Sequence, residues 1–329
     1  MGGTALGGKA GAPGGGLGGG GAAAGASAAG MGGGGASAGS GGASGGGAGG
    51  GAAGASGGGG AAGGGGFWGP NGPQKQWTCP AGPFGAQMRS NQQTVCQGFD
   101  YNHGYNEGPT WIASENAFFF SNFIQGGMSG GDIIKYTLGG SCEIWKENVG
   151  CNGLGVSPSG QLLAACHGSR AVLEFDLQTK QSRVIASMVD GKKLDSPNDL
   201  VAHSNGTIYF SNTTYELDEE AELREALVMI DPTGKTSVIE AGGLNGVALS
   251  PDEQKLYVVG KGVWNLDAQG KPLSKMGGAP GGDGLAVDCA GNVTADQTNS
   301  AYGGPDGKTL FVVQGTSART YNVTIPGLP

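Results

Sequence analysis

From Glu107 onward the chain repeats one pattern of polar and apolar positions. The copies read EGPTWIASENAFFF from Glu107, CNGLGVSPSGQLLAA from Cys151 and PNDLVAHSNGTIYF from Pro197. They continue as LNGVALSPDEQKLYV from Leu244, GDGLAVDCAGNVTA from Gly282 and a worn copy, GGPDGKTLFVV, from Gly303. In each, a polar-Gly or polar-Pro corner precedes an alternating apolar run, a turn and a second apolar run. Period-two alternation bounded by turns predicts short strands. It places them at residues 118–120, 133–136, 162–166, 171–175, 207–210, 227–230, 255–259 and 310–313. Turn chemistry separates them at Pro158-Ser159-Gly160, Ser204-Asn205-Gly206, Asp231-Pro232-Thr233-Gly234 and Pro305-Asp306-Gly307. Only residues 218–226 read as helical.

A strand repeat of about 46 residues predicts a β-propeller rather than a helical array. The expected fold is all-β, a six-bladed propeller with a shortened fifth blade. The shortening follows from the last interval: Asn299 comes only about 16 residues after Asp283, too few for a four-stranded blade.

Ahead of the repeats the composition changes. Residues 2–66 are almost wholly Gly, Ala and Ser. Such a stretch cannot bury enough apolar area to offset its ordering entropy, so 1–66 is expected to be a disordered tether. Residues 67–106 form a Pro/Gly-rich lead-in segment, which Trp68, Trp77, Pro80, Pro83 and Phe84 are expected to pack on the first blade. Residues 107–329 are the propeller.

Charge and cysteines narrow the setting. The net charge of −8, with no clustered Lys or Arg, argues against a nucleic-acid partner. No apolar run reaches membrane-spanning length, and no signal peptide is visible after Met1. The six cysteines are Cys79, Cys96, Cys142, Cys151, Cys166 and Cys289, with no zinc-type spacing. Proximity along the chain favours Cys79–Cys96 and Cys142–Cys151, leaving Cys166 and Cys289 as a third pair or as buried thiols. Six cysteines and a polar tether point to an exported protein, in the cell envelope or outside the cell; the chain is expected to be a monomer.

The corners carry the chemistry. They present Glu107, Asn152, Asn198, Asn245 and Asp283, with Asn299 near a sixth position. In a propeller these points converge on the central channel. Two carboxylates and several amide oxygens are a hard donor set, suited to Ca²⁺, Mg²⁺ or Mn²⁺. Any one Asn-Gly corner is common turn chemistry. A Glu in Glu107-Gly108-Pro109 has no such turn role, and a buried carboxylate there needs a cation or a proton.

The phrases EGPTW, DSPNDLVAHSNGTIYFSNTTY, LNGVALSPDEQKLYV, GGDGLAVDCAGNV and GGPDGKTLF resemble the SMP-30/gluconolactonase/LRE (regucalcin-like) family. The resemblance covers roughly residues 77–315. It implies a six-bladed propeller with one central divalent cation, Ca²⁺ first and Mg²⁺, Mn²⁺ or Zn²⁺ as alternatives. It also implies hydrolysis of a small-molecule lactone or related ester. Position by position, Glu107, Asn245 and Asp283 match metal ligands, and Asn198 matches an Asn that touches metal or substrate. Asn152 is placed with the substrate, Asp283 as general base, and His167 as a group that orients substrate or shuttles a proton. His103 and His203 are expected to be structural or exposed. Residues 215–224 are expected to cover the pocket. The chain departs from the family at Asn122 and Asn212, where acidic residues are usual. No Gly-x-Ser-x-Gly elbow supports a serine hydrolase. The alternative reading is a non-catalytic surface propeller that binds a sugar or a protein partner.

Overall fold

The computed structural model describes residues 67–127, 130–216, 220–295 and 298–329, so the tether expected over 1–66 lies outside the described residues. The architecture is an all-β propeller. The first blade is built from strands Tyr105–Ile112, Ala117–Phe123, Asp132–Thr137 and Cys142–Lys146. The second follows from Leu154–Val156 to Ser182–Ala186, the third from Ser196–Ala202 to Thr236–Ala241, and the fourth from Val247–Leu249 to Pro272–Met276. Within each, four antiparallel strands pair in chain order. The lone helical turn among the described residues is Ala113–Glu115. Residues 220–225, expected to be helical, form no helix, and Ala226 opens a strand.

The ring has five full blades, not six. The fifth repeat yields only a two-stranded ladder, Ala286–Val287 against Val293–Thr294. The next corner, Asn299, follows so closely that no residues remain for outer strands. The last blade is assembled from both ends of the domain. Strands Asn299–Gly303, Thr309–Gln314 and Ser317–Val323 are joined by Arg89–Val95, which pairs Arg89 with Val323 and Val95 with Ala318. Part of the lead-in segment is therefore a blade strand.

Alternation along the inner strands divides side chains between neighbouring blades. Phe119 packs into the cluster shared with the second blade, alongside Leu162, Cys166 and Phe175. Phe118 and Phe120 point the other way, into the cluster shared with Phe311 of the last blade. The Phe118 and Phe311 rings stack with centroids 4.7 Å apart. Trp68 does not reach the first blade. It is buried among Leu163, Val172, Phe210 and Val228 of the second and third blades, and its Nε1 donates to Gly206 O.

The disulfides also differ from the expected pairs. They are Cys79–Cys289, Cys96–Cys142 and Cys151–Cys166. Proximity along the chain misleads here because the ring returns distant segments to each other: Cys79 meets the two-stranded ladder, 210 residues away in sequence. Cys151, ahead of strand Leu154–Val156, is bridged to Cys166 at the end of strand Leu162–Cys166, beside the Asn152 corner. Three disulfides are compatible with an exported protein, and no helix among the described residues is long and apolar enough to cross a membrane.

Candidate active site on the corner ring

Each inner strand begins at a corner, and consecutive corners interlock. Gly153 N donates to Asn198 O at 2.6 Å, Gly246 N to Asp283 O at 3.0 Å, and Gly284 N to Thr298 O at 2.8 Å. Thr298 Oγ1 reaches Asn106 O at 3.2 Å and so returns to the first blade. The glycines are required by close approach. A Cβ on Gly108 would lie 2.3 Å from Asn152 O, and one on Gly246 would lie 2.4 Å from Asp283 O. Six corners therefore share one ring, although only five blades are complete.

The ring draws together carboxylates that burial disfavours in charged form. Glu107 is 5% exposed. Desolvation first, then the nearby Asp283, hold its carboxyl well above the usual carboxylate range; Gly108 N–H, donating to Oε2 at 3.0 Å, opposes the shift. Desolvation also raises Asp283, against a hydrogen bond from Asn245 Nδ2 to its Oδ1 at 2.5 Å. Asp199 is pushed up to about 7, again by desolvation, while accepting hydrogen bonds from Leu200 N and Val247 N. Asn299 donates toward both Glu107 and Asp199. Asn152 and Asn198 stand buried at their corners.

Sequence reasoning missed three residues at this site. Asp199 follows a corner Asn where the repeat usually has Gly, so the Asn198-Asp199 pair was its visible signal. Tyr105 gave none, and Glu216 only as part of the segment 215–224 expected to cover the pocket, because both lie outside the repeat phrase. Glu216 is buried, accepts from Ser196 Oγ at 2.9 Å, and is raised by burial with Asp283 contributing. Tyr105 is pushed up to about 12 by burial, with Glu107, Asp283 and Glu216 adding to the shift. Tyr215 is also raised, by burial and then by the charges of Glu225, Asp283 and Glu216. Tyr105, Tyr215 and Glu216 thus border the same face of the ring. Of the expected cover, residues 217–219 lie outside the described residues.

His167 is enclosed. It is fully buried at the end of strand Leu162–Cys166, 5.0 Å from the Phe123 ring between centroids, and neither ring nitrogen has a hydrogen-bond partner. Desolvation lowers its pKa to about 4. His203 is buried, and its Nδ1 accepts from Asn205 N; Nε2 of His103 accepts from Gly131 N. Asn122 and Asn212 each use both ends of their amides. Asn122 accepts from His103 N and donates to Asn106 Oδ1. Asn212 accepts from Asp195 N and donates to Arg224 O.

A divalent cation fits the oxygen chemistry of the ring, which offers the Glu107 and Asp283 carboxylates with Asn198 and Asn245 amide oxygens. Among the described residues, no three His, Cys, Asp or Glu side chains are grouped closely enough to hold a metal by themselves, so asparagine oxygens are needed to complete a ligand set. A cavity of about 120 Å³ is lined by inner-strand residues together with Asp199, Asn299 and residues 74–77.

Residues 105–296 match the SMP-30/Gluconolactonase/LRE-like region. The chain is 32% identical over 251 residues to a gluconolactonase of Zymomonas mobilis, covering 64% of this chain and 70% of that protein. Its fold is shared with a gluconolactonase from Xanthomonas campestris at a TM-score of 0.60 and 19% identity, over 74% of this chain and all of that one. It is also shared with a calcium-binding regucalcin from Agrobacterium tumefaciens, at a TM-score of 0.55 and 17% identity over 71% of this chain and 94% of that one. The matched segment spans the corners from Glu107 to Asp283, and on that evidence the chain belongs to the SMP-30/gluconolactonase/LRE-like family.

Proposed function

We propose that the protein is a divalent-metal-dependent lactonase that opens a sugar lactone or related ester. The observation that carries this reading is the corner ring. It gathers Glu107 and Asp283 in a desolvated setting, joined by Asn245 and Asn299, where neither carboxylate is paired with a cationic side chain among the described residues. Glu107, Asn245, Asp283 and Asn198 would hold the cation. When bound, it would supply Lewis-acid polarisation of the lactone carbonyl, with Ca²⁺ the first expectation and Mg²⁺, Mn²⁺ or Zn²⁺ the alternatives.

The chain's own groups divide the remaining work. Asn152 and Asn198 line the approach and orient the substrate. Glu216, with Tyr105 and Tyr215, faces the same side and can accept hydrogen bonds from substrate hydroxyls. Asp283 takes the proton from the attacking water as its oxygen bonds to the carbonyl carbon. The ring C–O bond then breaks, and the departing alkoxide receives that proton, giving a hydroxy acid. His167 is sealed from this step and is assigned to support of the ring wall.

The test is to purify the full chain, measure bound metals by elemental analysis and assay gluconolactone opening with and without chelator. One equivalent of metal with chelator-sensitive turnover supports the reading. Metal without turnover on any lactone supports the second reading, a surface propeller that binds a sugar or protein. That reading is favoured by the two-stranded ladder beneath Asp283. An exported location is part of the proposal, motivated by the three disulfides.

A further inference from the structure

Asp283 stands on the least supported part of the ring. The ladder that follows it has two strands of two residues each. An isolated pair of strands is marginal in water, because it has too little apolar face to bury. What supplies the missing support comes from outside the blade. Gln87, in the lead-in segment, reaches three elements at once. Its Nε2 lies 3.1 Å from Asp288 Oδ2, 3.4 Å from Tyr302 Oη and 2.9 Å from Ile325 O, and its Oε1 accepts from Ile325 N at 2.9 Å. The C-terminal tail adds backbone pairing, with Cys289 N donating to Pro326 O at 2.7 Å and Leu328 N to Val287 O at 3.1 Å. The Cys79–Cys289 bridge then ties the lead-in segment covalently to the end of the ladder.

We propose that Gln87 and the Cys79–Cys289 bridge are positioning elements for Asp283, replacing the outer hairpin that the fifth blade lacks. Locally, the Asp283 peptide is already fixed by Gly246 and its carboxylate is aimed by Asn245. Those contacts fix one end of the segment. Gln87, the tail and the bridge fix the other, at Asp288 and Cys289. With both ends held, a short ladder can present a carboxylate in one direction; with one end free, the same residues would sample several. The functional consequence rests on the metal-dependent reading above, but the mechanical claim does not.

The experiment compares full-length wild type with Gln87→Leu, with Cys79→Ser/Cys289→Ser, and with Cys96→Ser/Cys142→Ser as a control that also loses one disulfide. Hydrogen exchange is followed over residues 283–294, Ca²⁺ and Mn²⁺ affinities are measured by calorimetry, and thermal unfolding is recorded. The expected result is exchange in the ladder faster by about tenfold or more in the first two variants. Cation binding should weaken by about 10- to 100-fold in both. The control should lower thermal stability while leaving ladder exchange and cation affinity near wild type. Unchanged exchange over residues 283–294 in a folded Gln87→Leu protein would overturn the proposal, as would equal effects in the control. If wild type itself binds no cation, the metal-dependent reading fails while the exchange data still decide the mechanical claim. If the double-serine variant does not fold, Gln87→Leu carries the test.

Discussion

Asn245 donates its side-chain amide to Asp283 Oδ1 at 2.5 Å, across the boundary between the fourth blade and the two-stranded ladder. With the Asn245 nitrogen used in this way, its carbonyl oxygen stays available as a ligand. Asn245→Leu keeps the approximate volume but leaves Asp283 without that donor. We expect lactone turnover to fall about 100-fold or more, with cation affinity reduced, because a ligand and its aiming group are lost together. Near-normal steady-state kinetics and metal content in this variant would show that the corner is only a turn.

Glu107 gives a prediction with two opposed signs. Its carboxylate is buried and destabilised in the absence of a cation. Glu107→Gln removes the charge at nearly constant shape. The metal-free protein should therefore gain about 1–3 kcal/mol of stability while losing cation binding and activity. Calorimetric unfolding in chelator reads the first effect and titration with Ca²⁺ the second. A variant less stable than wild type in chelator would argue that Glu107 is a structural anchor.

His167 predicts an acid-sensitive stability. Its folded pKa is lowered by burial from 6.5 to about 4. The folded state therefore favours the neutral ring. The associated stability is fully present above the unfolded pKa and is lost as pH falls from about 6.5 toward 4, by about 3 kcal/mol at most. Denaturant unfolding at pH 7 and pH 4.5 should show this loss in wild type and a smaller one in His167→Gln. If His167→Gln instead abolished turnover at pH 7 without changing the acid sensitivity, the residue would belong in the reaction.

Gly108 tests the ring itself. It adopts φ +49°, and an added Cβ would fall 2.3 Å from Asn152 O and 2.4 Å from Gly153 Cα. Neither neighbour is a flexible side chain that can move away. Gly108→Ala should cost about 3 kcal/mol or more, or prevent folding. Expression and thermal unfolding of this variant at wild-type level would mean that the corners are looser than the contacts indicate.

Phe118 tests blade-to-blade packing apart from the site. It is fully buried and stacks on Phe311 of the last blade. Phe118→Ala should destabilise by about 3–5 kcal/mol, with turnover per folded molecule little changed at a temperature where the variant remains native. A selective loss of activity would show that the first-to-last blade contact also shapes the ring.

Local pattern alone determined the repeat, the corner residues and the apolar strands such as Leu162–Cys166 and Ala171–Phe175. Alternation fixes which way Phe118, Phe119 and Phe120 point, and a recurring Glu, Asn or Asp, followed by Gly at Glu107, Asn152, Asn245 and Asp283, marks the corners, because these are properties of adjacent residues. The short interval from Asp283 to Asn299 likewise exposed the defective fifth repeat. Tertiary structure alone decided how the ring closes: Arg89–Val95 joins the last blade, which leaves five full blades. It also decided that Cys79 meets Cys289 rather than Cys96, since pairing depends on where the ring returns the chain. Glu216 and Tyr105 joined the site without any periodic signal: Glu216 lies in a connection whose position is set by the blades on either side, and Tyr105 opens the strand Tyr105–Ile112 ahead of the repeat phrase. Burial of His167 was equally invisible, as enclosure is a property of the packed neighbours and not of the sequence Cys166-His167-Gly168.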